Sequence, residues 1–597
     1  MTFFPLLCHF GFLALWVRVT YHIARVHLDA RRPNVNKNRV QSAIVKIWLL
    51  PGAYLIGSLL AVPRTPAAWF FLIVGGLIWS FACFIASGYL FPRLSDASGP
   101  LAVLLLIGLQ LGYQGDLAAY QEPRRPLVTV LCLIILFSLT AIGVRYPACL
   151  NLVRQKRRAW CVVLGFALGL ALIQNALGKA AGPAFAPATV AFLLATSYAL
   201  ARDLQRRPRA GPWTARFGDT LVVCCVVGGV IPVLTRDFSV ALLVASCLVV
   251  LLLAYKQSAA AVAATGLIGL LLGVIYATSR IPKLNERIDI LLRPQLAVDS
   301  QVDSYLWAQA LGQSVGRGAG RWVTAIGNPP KPMIPLPGTD GVFAGLAHTT
   351  GVLGVTLTLF SFLILILWLL RRADTLGTQP DLWGAVFFRV TAHVCAVTVL
   401  AAGAWVSRCF LMVGFAAPLI TYGYWVNVLW AVVLACVFAH AIHQDGLTQE
   451  RPDLASPPGV GAAVLPLTPA YIVGERVLLS LLFALLAARY LCVGITFQPT
   501  YLAHVYTGEA HREWLEKALA ASVFEIKNNR VQTCDPPPKG WRKKSLRERA
   551  AYAAHIGLVR IDTKSGTSRL TLAPPGAFYQ TEPTGIVQLL RDAGWKP

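Results

Sequence analysis

The stretch 278–342 mixes carboxylates with cations: Glu286, Arg287, Asp289, Arg293, Asp299, Asp303, Arg317, Arg321, Lys331 and Asp340. Arginine grips phosphate oxygens through paired N–H donors, and lysine does so as a point charge. An aspartate beside such an anion can take a proton from an attacking hydroxyl. Next to apolar segments, the combination suits a site for a lipid-linked anion. A solvated loop with ordinary surface charges carries the same residue types, so composition leaves both readings open. Connections longer than about 15 residues are usually functional or disordered. Other polar motifs carry less. His440 and His443 are two imidazoles at the end of an apolar stretch and read as packing. Gly316-Arg317-Gly318-Ala319-Gly320 follows no strand, so it reads as flexible loop rather than a nucleotide-binding turn. All but Cys534 of the 13 cysteines lie in or beside apolar stretches, where a thiol behaves as a small hydrophobe.

The elements that must position this stretch are apolar helices. Of 597 residues, 56% are hydrophobic and 13% charged, and mean hydropathy is +0.61. Soluble proteins carry about a quarter charged residues, so these few charges could not cover the apolar surface in water. Disordered, collagenous and disulfide-scaffold classes are excluded by the same figures. The chain reads as an all-α polytopic membrane protein with about fourteen transmembrane helices. The apolar stretches run from 3–17 to 473–497. The first has no basic n-region and no small-residue cleavage site, so it reads as a retained span.

The net charge of +26 raises two partners, nucleic acid and anionic lipid. Its distribution excludes nucleic acid. Much of it falls in three short loops, Arg18 to Arg39, Arg145 to Arg158 and Arg202 to Arg216, which alternation puts on one side. Loops of that kind are cytoplasmic and face anionic lipid of the inner leaflet. The N-terminus, the stretch 278–342 and the tail 499–597 then lie outside the cytoplasm. The tail reads as a small α+β module, with a helix around 507–526 and strand-like pieces near 556–572. It holds no Ser-x-x-Lys, so it is not a complete serine acyl-transferase domain.

Several segments follow one another in a suggestive order. They are Phe185-Ala186-Pro187-Ala188-Thr189, then Thr235-Arg236-Asp237-Phe238-Ser239-Val240-Ala241-Leu242, then Arg287 with Pro294, and Tyr305 with Gln309. Ile334-Pro335-Leu336-Pro337-Gly338-Thr339-Asp340-Gly341-Val342-Phe343-Ala344 comes next, then Gly351-Val352-Leu353-Gly354. Gly414 and Pro418-Leu419-Ile420-Thr421-Tyr422-Gly423 close the series. Over 160–445 the order and spacing resemble the SEDS family, the membrane glycosyltransferases typified by FtsW and RodA. Ala347-His348-Thr349-Thr350-Gly351 departs from the family, which has two glutamates there, and Gly338 replaces a histidine.

The resemblance implies a division of the chain. Residues 1–158 are extra N-terminal spans, and 159–445 are a SEDS-like core with an extracytoplasmic catalytic loop at 278–342. Residues 446–498 are a cytoplasmic loop and a final span, and 499–597 an extracytoplasmic tail. The implied reaction is polymerisation of lipid II, with undecaprenyl pyrophosphate leaving. Spacing back from Tyr305 puts the family's catalytic aspartate at Asp299, with Asp303 as the alternative. Arg287 and Arg293 would hold the pyrophosphate, together with Mg²⁺ or Mn²⁺. Tyr305, Gln309, Thr339 and Asp340 are the further substrate-side residues, the last two ordering the loop end against the bundle. The implied partner is a class B penicillin-binding protein. The implied location is the bacterial cytoplasmic membrane, in cell division or cell-shape maintenance. Two other readings stand beside it: a flippase for a lipid-linked precursor, and an inactive scaffold for a penicillin-binding protein.

Overall fold

The structure is a computed structural model. It describes residues 3–29, 33–61, 64–146, 185–205, 218–231, 301–322, 336–377, 381–409, 416–422, 424–450 and 469–496, short pieces within 164–173, 240–247 and 324–334, and strands within 523–581. The helices are α1 (Phe3–Leu28), α2 (Pro33–Ala61), α3 (Pro66–Ile85), α4 (Ser98–Leu117), α5 (Arg125–Arg145) and α6 (Phe185–Gln205). They continue with α7 (Gly218–Cys225), α8 (Gln301–Gly312), α9 (Val342–Gly377), α10 (Leu382–Val406), α11 (Tyr424–Glu450) and α12 (Pro469–Thr496). Among the described residues, 8 helices are long and apolar enough to cross a membrane. The spans expected at 160–178, 238–254 and 258–277 lie wholly or largely outside the described residues. The chain is an all-α polytopic membrane protein.

Helix α4 is the axis of the bundle. Every residue from Ser98 to Leu117 is buried, as a helix apolar on all sides must be. Helices α1, α2, α3, α5 and α9 pack around it. Glycine makes the closest approaches possible. A Cβ on Gly108 would come within 2.9 Å of Trp79 in α3, and one on Gly112 within 3.1 Å of Tyr54 in α2. In lipid, where burial of apolar surface gives no net gain between helices, such small residues let dispersion contacts hold the interface. Helices α3 and α12 lie at the other extreme. Phe70, Phe81, Phe84, Leu478 and Leu485 project outward, as bilayer-facing residues do.

The stretch 278–342 is not irregular throughout, because α8 occupies Gln301–Gly312. The segment after it enters a break in α9. Gly351 has φ 69°, ψ −171° inside that helix, a conformation open to glycine because it lacks a Cβ. The break frees backbone groups, and residues 313–318 satisfy them. Arg317 N donates to His348 O at 2.9 Å and Gly318 N to Thr349 O at 2.9 Å. In return, Val352 N donates to Gln313 O at 2.9 Å and Leu353 N to Ser314 O at 3.0 Å. Broken helices at membrane depth need such substitute partners. The glycine segment expected to be flexible is therefore a fixed insert, with φ of 82°, 92° and 76° at Gly316, Gly318 and Gly320.

Helix ends alternate as expected. The start of α1 and the end of α4 meet 301–322, the loop end, through His9 to Val315 and Tyr120 to Gly320. The end of α1, the start of α4, the end of α9 and the start of α12 gather at the opposite end.

The short strands β1 (Thr324–Ala325) and β2 (Lys331–Pro332) pair antiparallel, and in the tail β3 (Val523–Lys527) pairs antiparallel with β4 (Arg530–Cys534), while β5 (Val559–Lys564), β6 (Thr567–Leu572) and β7 (Gln580–Thr581) form a further sheet. The helix expected around 507–526 thus does not reach 526. Its last residues, Val523, Phe524 and Ile526, are strand formers and pair across β4. The β5–β6 hairpin falls within the stretch expected to be strand-like.

Candidate functional site

The loop end is built on the last two turns of α4. Gln110, Tyr113, Gln114 and Asp116 interrupt an otherwise apolar helix, and each is used. Tyr113 donates its hydroxyl to Pro337 O at 2.7 Å. Gln114 Nε2 donates to Gly338 O at 3.3 Å and Ile420 O at 3.4 Å. Gln110 Nε2 donates to Thr421 O at 2.6 Å. The two backbone segments so held are 336–344 and 418–422, and they also meet directly, Tyr422 N donating to Gly338 O at 2.5 Å. Each contains a leucine with positive φ, 45° at Leu336 and 65° at Leu419. Such backbone is costly for a bulky side chain and persists only where neighbours over-determine it. Asn427 of α11 supplies part of that constraint, accepting from Leu419 N at 3.0 Å.

Asp116 holds a third segment. Its Oδ1 accepts from Gly320 N at 2.9 Å and from the hydroxyl of Ser58, and its Oδ2 accepts from Trp322 Nε1 at 2.7 Å. Arg64 donates to the same Ser58 hydroxyl at 2.6 Å, which brings a cation close to this buried carboxylate. Burial draws the Arg64 guanidinium below its usual pKa, and Asp116 works against that. Tyr120 donates to Gly320 O at 2.5 Å, so one residue of the insert is fixed at both its N–H and its carbonyl. Trp322 stacks on His348, ring centroids 5.5 Å apart and planes 17° apart. His348 and Thr349 are fully buried where the family carries glutamates.

The expected site residues divide by position. Arg287, Arg293 and Asp299 lie outside the described residues. Asp303 stands in the first turn of α8. Tyr305 and Gln309 are buried one and two turns further on. Tyr305 meets Trp405 edge-on at 5.1 Å, and Gln309 Nε2 donates to Val406 O at 3.0 Å, so both anchor α8 to the end of α10. Burial pushes the Tyr305 phenol above its ordinary pKa, and the negative charge of Asp340 adds to the effect. Helix α8 packs against α9, whose first turn directly follows the segment that carries Asp340. Thr339 and Asp340 sit half-buried in the turn closed by Thr339 N and Gly341 N on Leu336 O, both at 3.0 Å. Arg317 is drawn below its usual pKa by burial and then by Arg321. Arg125 lies with its guanidinium 4.3 Å over the Tyr422 ring and donates to Gln114 Oε1 at 3.2 Å.

The motif order did not point to Tyr113, Gln114, Asp116 or Trp322. The signal for the first three was nonetheless present, as polar residues inside an apolar stretch, which are functional or structural anchors by default. Among the described residues no group of three or more His, Cys, Asp or Glu side chains could hold a metal.

A multi-pass helical bundle with motif-bearing loops pinned at one end is the class this geometry defines. The profile of the FtsW, RodA and SpoVE cell cycle protein family matches residues 128–443. That is more than half of the chain, and the chain belongs to this family. Membership gives it a role in peptidoglycan synthesis. The match begins at α5, so α4, which pins the loops, lies before it, and α1 and α12 also lie outside it. A solved structure described as "Structural coordination of polymerization and crosslinking by a peptidoglycan synthase complex" aligns at 21% identity and TM-score 0.44. It covers 59% of this chain and 98% of that one, a likeness too distant to carry an argument. No curated protein matches the chain by sequence.

Proposed function

We propose that the chain polymerises lipid II into glycan strands at the outer face of the bacterial cytoplasmic membrane. The observation that carries this reading is the packing of α8, which holds Tyr305 and Gln309, against α9, whose start follows the turn that holds Thr339 and Asp340, in a chain that belongs to this family. Asp299 is the general base, with Asp303 as the alternative. The 4-hydroxyl of the acceptor sugar attacks the anomeric carbon of the donor, and its proton passes to the carboxylate. The bond from that carbon to the pyrophosphate oxygen breaks, the configuration inverts, and undecaprenyl pyrophosphate leaves. Base catalysis contributes about 10²–10⁴-fold. Arg287 and Arg293 hold the pyrophosphate, and the fixed insert 313–322 and the 336–341 turn keep the second half of the loop in place. A divalent cation, Mg²⁺ or Mn²⁺, would neutralise charge on the pyrophosphate when bound. Magnesium sites commonly combine one or two carboxylates with substrate phosphates, and Asp340 is a described carboxylate at this end. A class B penicillin-binding protein is the partner that would cross-link the strands.

The test uses purified full-length protein, lipid II and either cation, with glycan strands resolved by electrophoresis. Wild type should make polymer, chelation should stop it, and Asp299→Ala should abolish it. Normal polymer from Asp299→Ala and none from Asp303→Ala would move the base to Asp303. A wild type that makes none would leave the scaffold reading, which the buried His348 and Thr349 at the glutamate positions favour.

A further inference from the structure

The end of the bundle opposite the loop contains a cleft of about 430 Å³ between α1, α9 and α12. It is graded along the helix axes. His27, Arg371 and Arg476 line its mouth, near the ends of their helices, while Leu367 and Leu481 line the part nearer the bundle centre. Leu367 is one turn deeper along α9 than Arg371. Along α12, the lining continues for eight residues beyond Arg476, about 12 Å at the helical rise.

The charges around the mouth are layered. Arg371 donates to Asp96 Oδ2 at 3.1 Å and to His27 O at 2.8 Å, and Arg476 pairs with Asp374. The carboxylates face inward, with side-chain exposures of 7% for Asp96 and 17% for Asp374. The guanidiniums face the cleft, at 34% and 35%. Glu475, the other nearby acid, is held inside by Arg389 at 3.3 Å and His393 at 3.0 Å. The buried acids and His27, whose Nε2 meets Arg371 at 2.9 Å, thus fix two arginines whose side chains stay part-exposed along the cleft wall. Below the mouth, Val477 and Leu481 are 51% and 54% exposed, so the cleft opens sideways onto the bilayer rather than onto water alone.

We propose that this cleft binds one anionic phospholipid of the leaflet opposite the loop, its phosphate between Arg371 and Arg476 and an acyl chain along Leu367 and Leu481. Paired guanidiniums suit a phosphate. A soluble anion has no use for the apolar floor, and an acyl chain alone has none for the arginines. Two of the three walls, α1 and α12, lie outside the family-matched residues 128–443, so the site belongs to the spans this chain adds to the core. A lipid there would act as a wedge, joining both added helices to α9, the helix that carries the loop-end break. The inference does not depend on the polymerase reading.

The test is native mass spectrometry of the full-length protein in detergent, titrated with phosphatidylglycerol or phosphatidylcholine. Wild type should retain one phosphatidylglycerol per chain in preference to phosphatidylcholine, and glycerol 3-phosphate should not displace it. Arg476→Gln should weaken retention about fivefold, the equivalent of about 1 kcal/mol for one cation beside an anionic lipid. Because that variant also strips Asp374 of a partner, Leu481→Trp is the second arm. It fills the apolar floor, leaves every ion pair intact, and should lower retention while the unfolding midpoint stays within a few degrees. Equal retention of the two lipids, displacement by glycerol 3-phosphate, or wild-type retention by Leu481→Trp overturns the proposal. So does a wild type that keeps no lipid and carries a second copy of the chain instead.

Discussion

The two ends of the bundle are fixed by different physics. At the loop end, neutral side chains of α4 hold backbone carbonyls, and one carboxylate, Asp116, gathers Gly320 N, Trp322 Nε1 and the Ser58 hydroxyl. At the opposite end, arginines hold carboxylates: Arg372 with Asp445 at 2.6 Å, Arg389 with Asp374 at 2.6 Å and with Glu475 at 3.3 Å. Hydrogen bonds to backbone set the path of a chain. Ion pairs between helices set how the helices stand against one another. The loop end is therefore arranged to fix the shape of a site, and the opposite end to fix the register of the spans that carry it.

Variants can separate these roles. The largest effect is expected from Arg389→Met, which leaves Asp374 and Glu475 buried without their shared cation. Breaking a buried pair on one side costs about 3–5 kcal/mol, so the unfolding midpoint in detergent should fall sharply. Adding Glu475→Met should restore part of the loss, and a single variant that melts like wild type would mean that the ion pairs do not hold this end. Asp116→Ala should come next, at roughly 3 kcal/mol, because it strands Gly320 N and Trp322 Nε1, each costing about 1–3 kcal/mol unpaired, while the third donor, the Ser58 hydroxyl, can rotate to another acceptor. Its signature should be faster amide exchange confined to 313–322. Equal acceleration in α9 and α10 would show that the loop end and the bundle open together.

Gly351→Ala should cost about 2 kcal/mol. A side chain in that backbone region, which is essentially open only to glycine, is strained by about 1–3 kcal/mol, and the new methyl meets the backbone of Ser314 and Gly316. Exchange should rise at 313–318 while the Asp116 contact with Trp322 persists, which tryptophan fluorescence can follow. The smallest effect belongs to Tyr113→Phe, which removes one hydrogen bond to Pro337 O and about 1 kcal/mol. An unchanged midpoint would leave Gln114 as the residue that holds the turn.

Local properties of the chain determined a good deal. Apolar runs such as 343–370 announce a membrane helix wherever they occur, because bilayer thickness sets their length. Motif order from Phe185 to Gly423 determined the family, and it pointed to Tyr305, Gln309, Thr339 and Asp340 as residues of one end. The alternation of spans followed from counting. What these could not give was the partner of any polar side chain. Gln110, Tyr113, Gln114 and Asp116 announce that they need partners, since a polar group in lipid must be satisfied. The partners lie some 200 to 300 residues away, at Gly320, Pro337 and Thr421. Nothing in the string Gly316-Arg317-Gly318-Ala319-Gly320 tells a flexible loop from an insert. Only the break at Gly351, with its freed carbonyls at His348 and Thr349, makes it the latter. The same holds for His27, Arg371 and Arg476, three basic residues on three helices that become one cleft when α1 and α12 pack against α9. Hydropathy and motif order are carried by neighbours along the chain, whereas hydrogen-bond satisfaction and charge pairing are carried by neighbours in space, and that is where the tertiary structure decided.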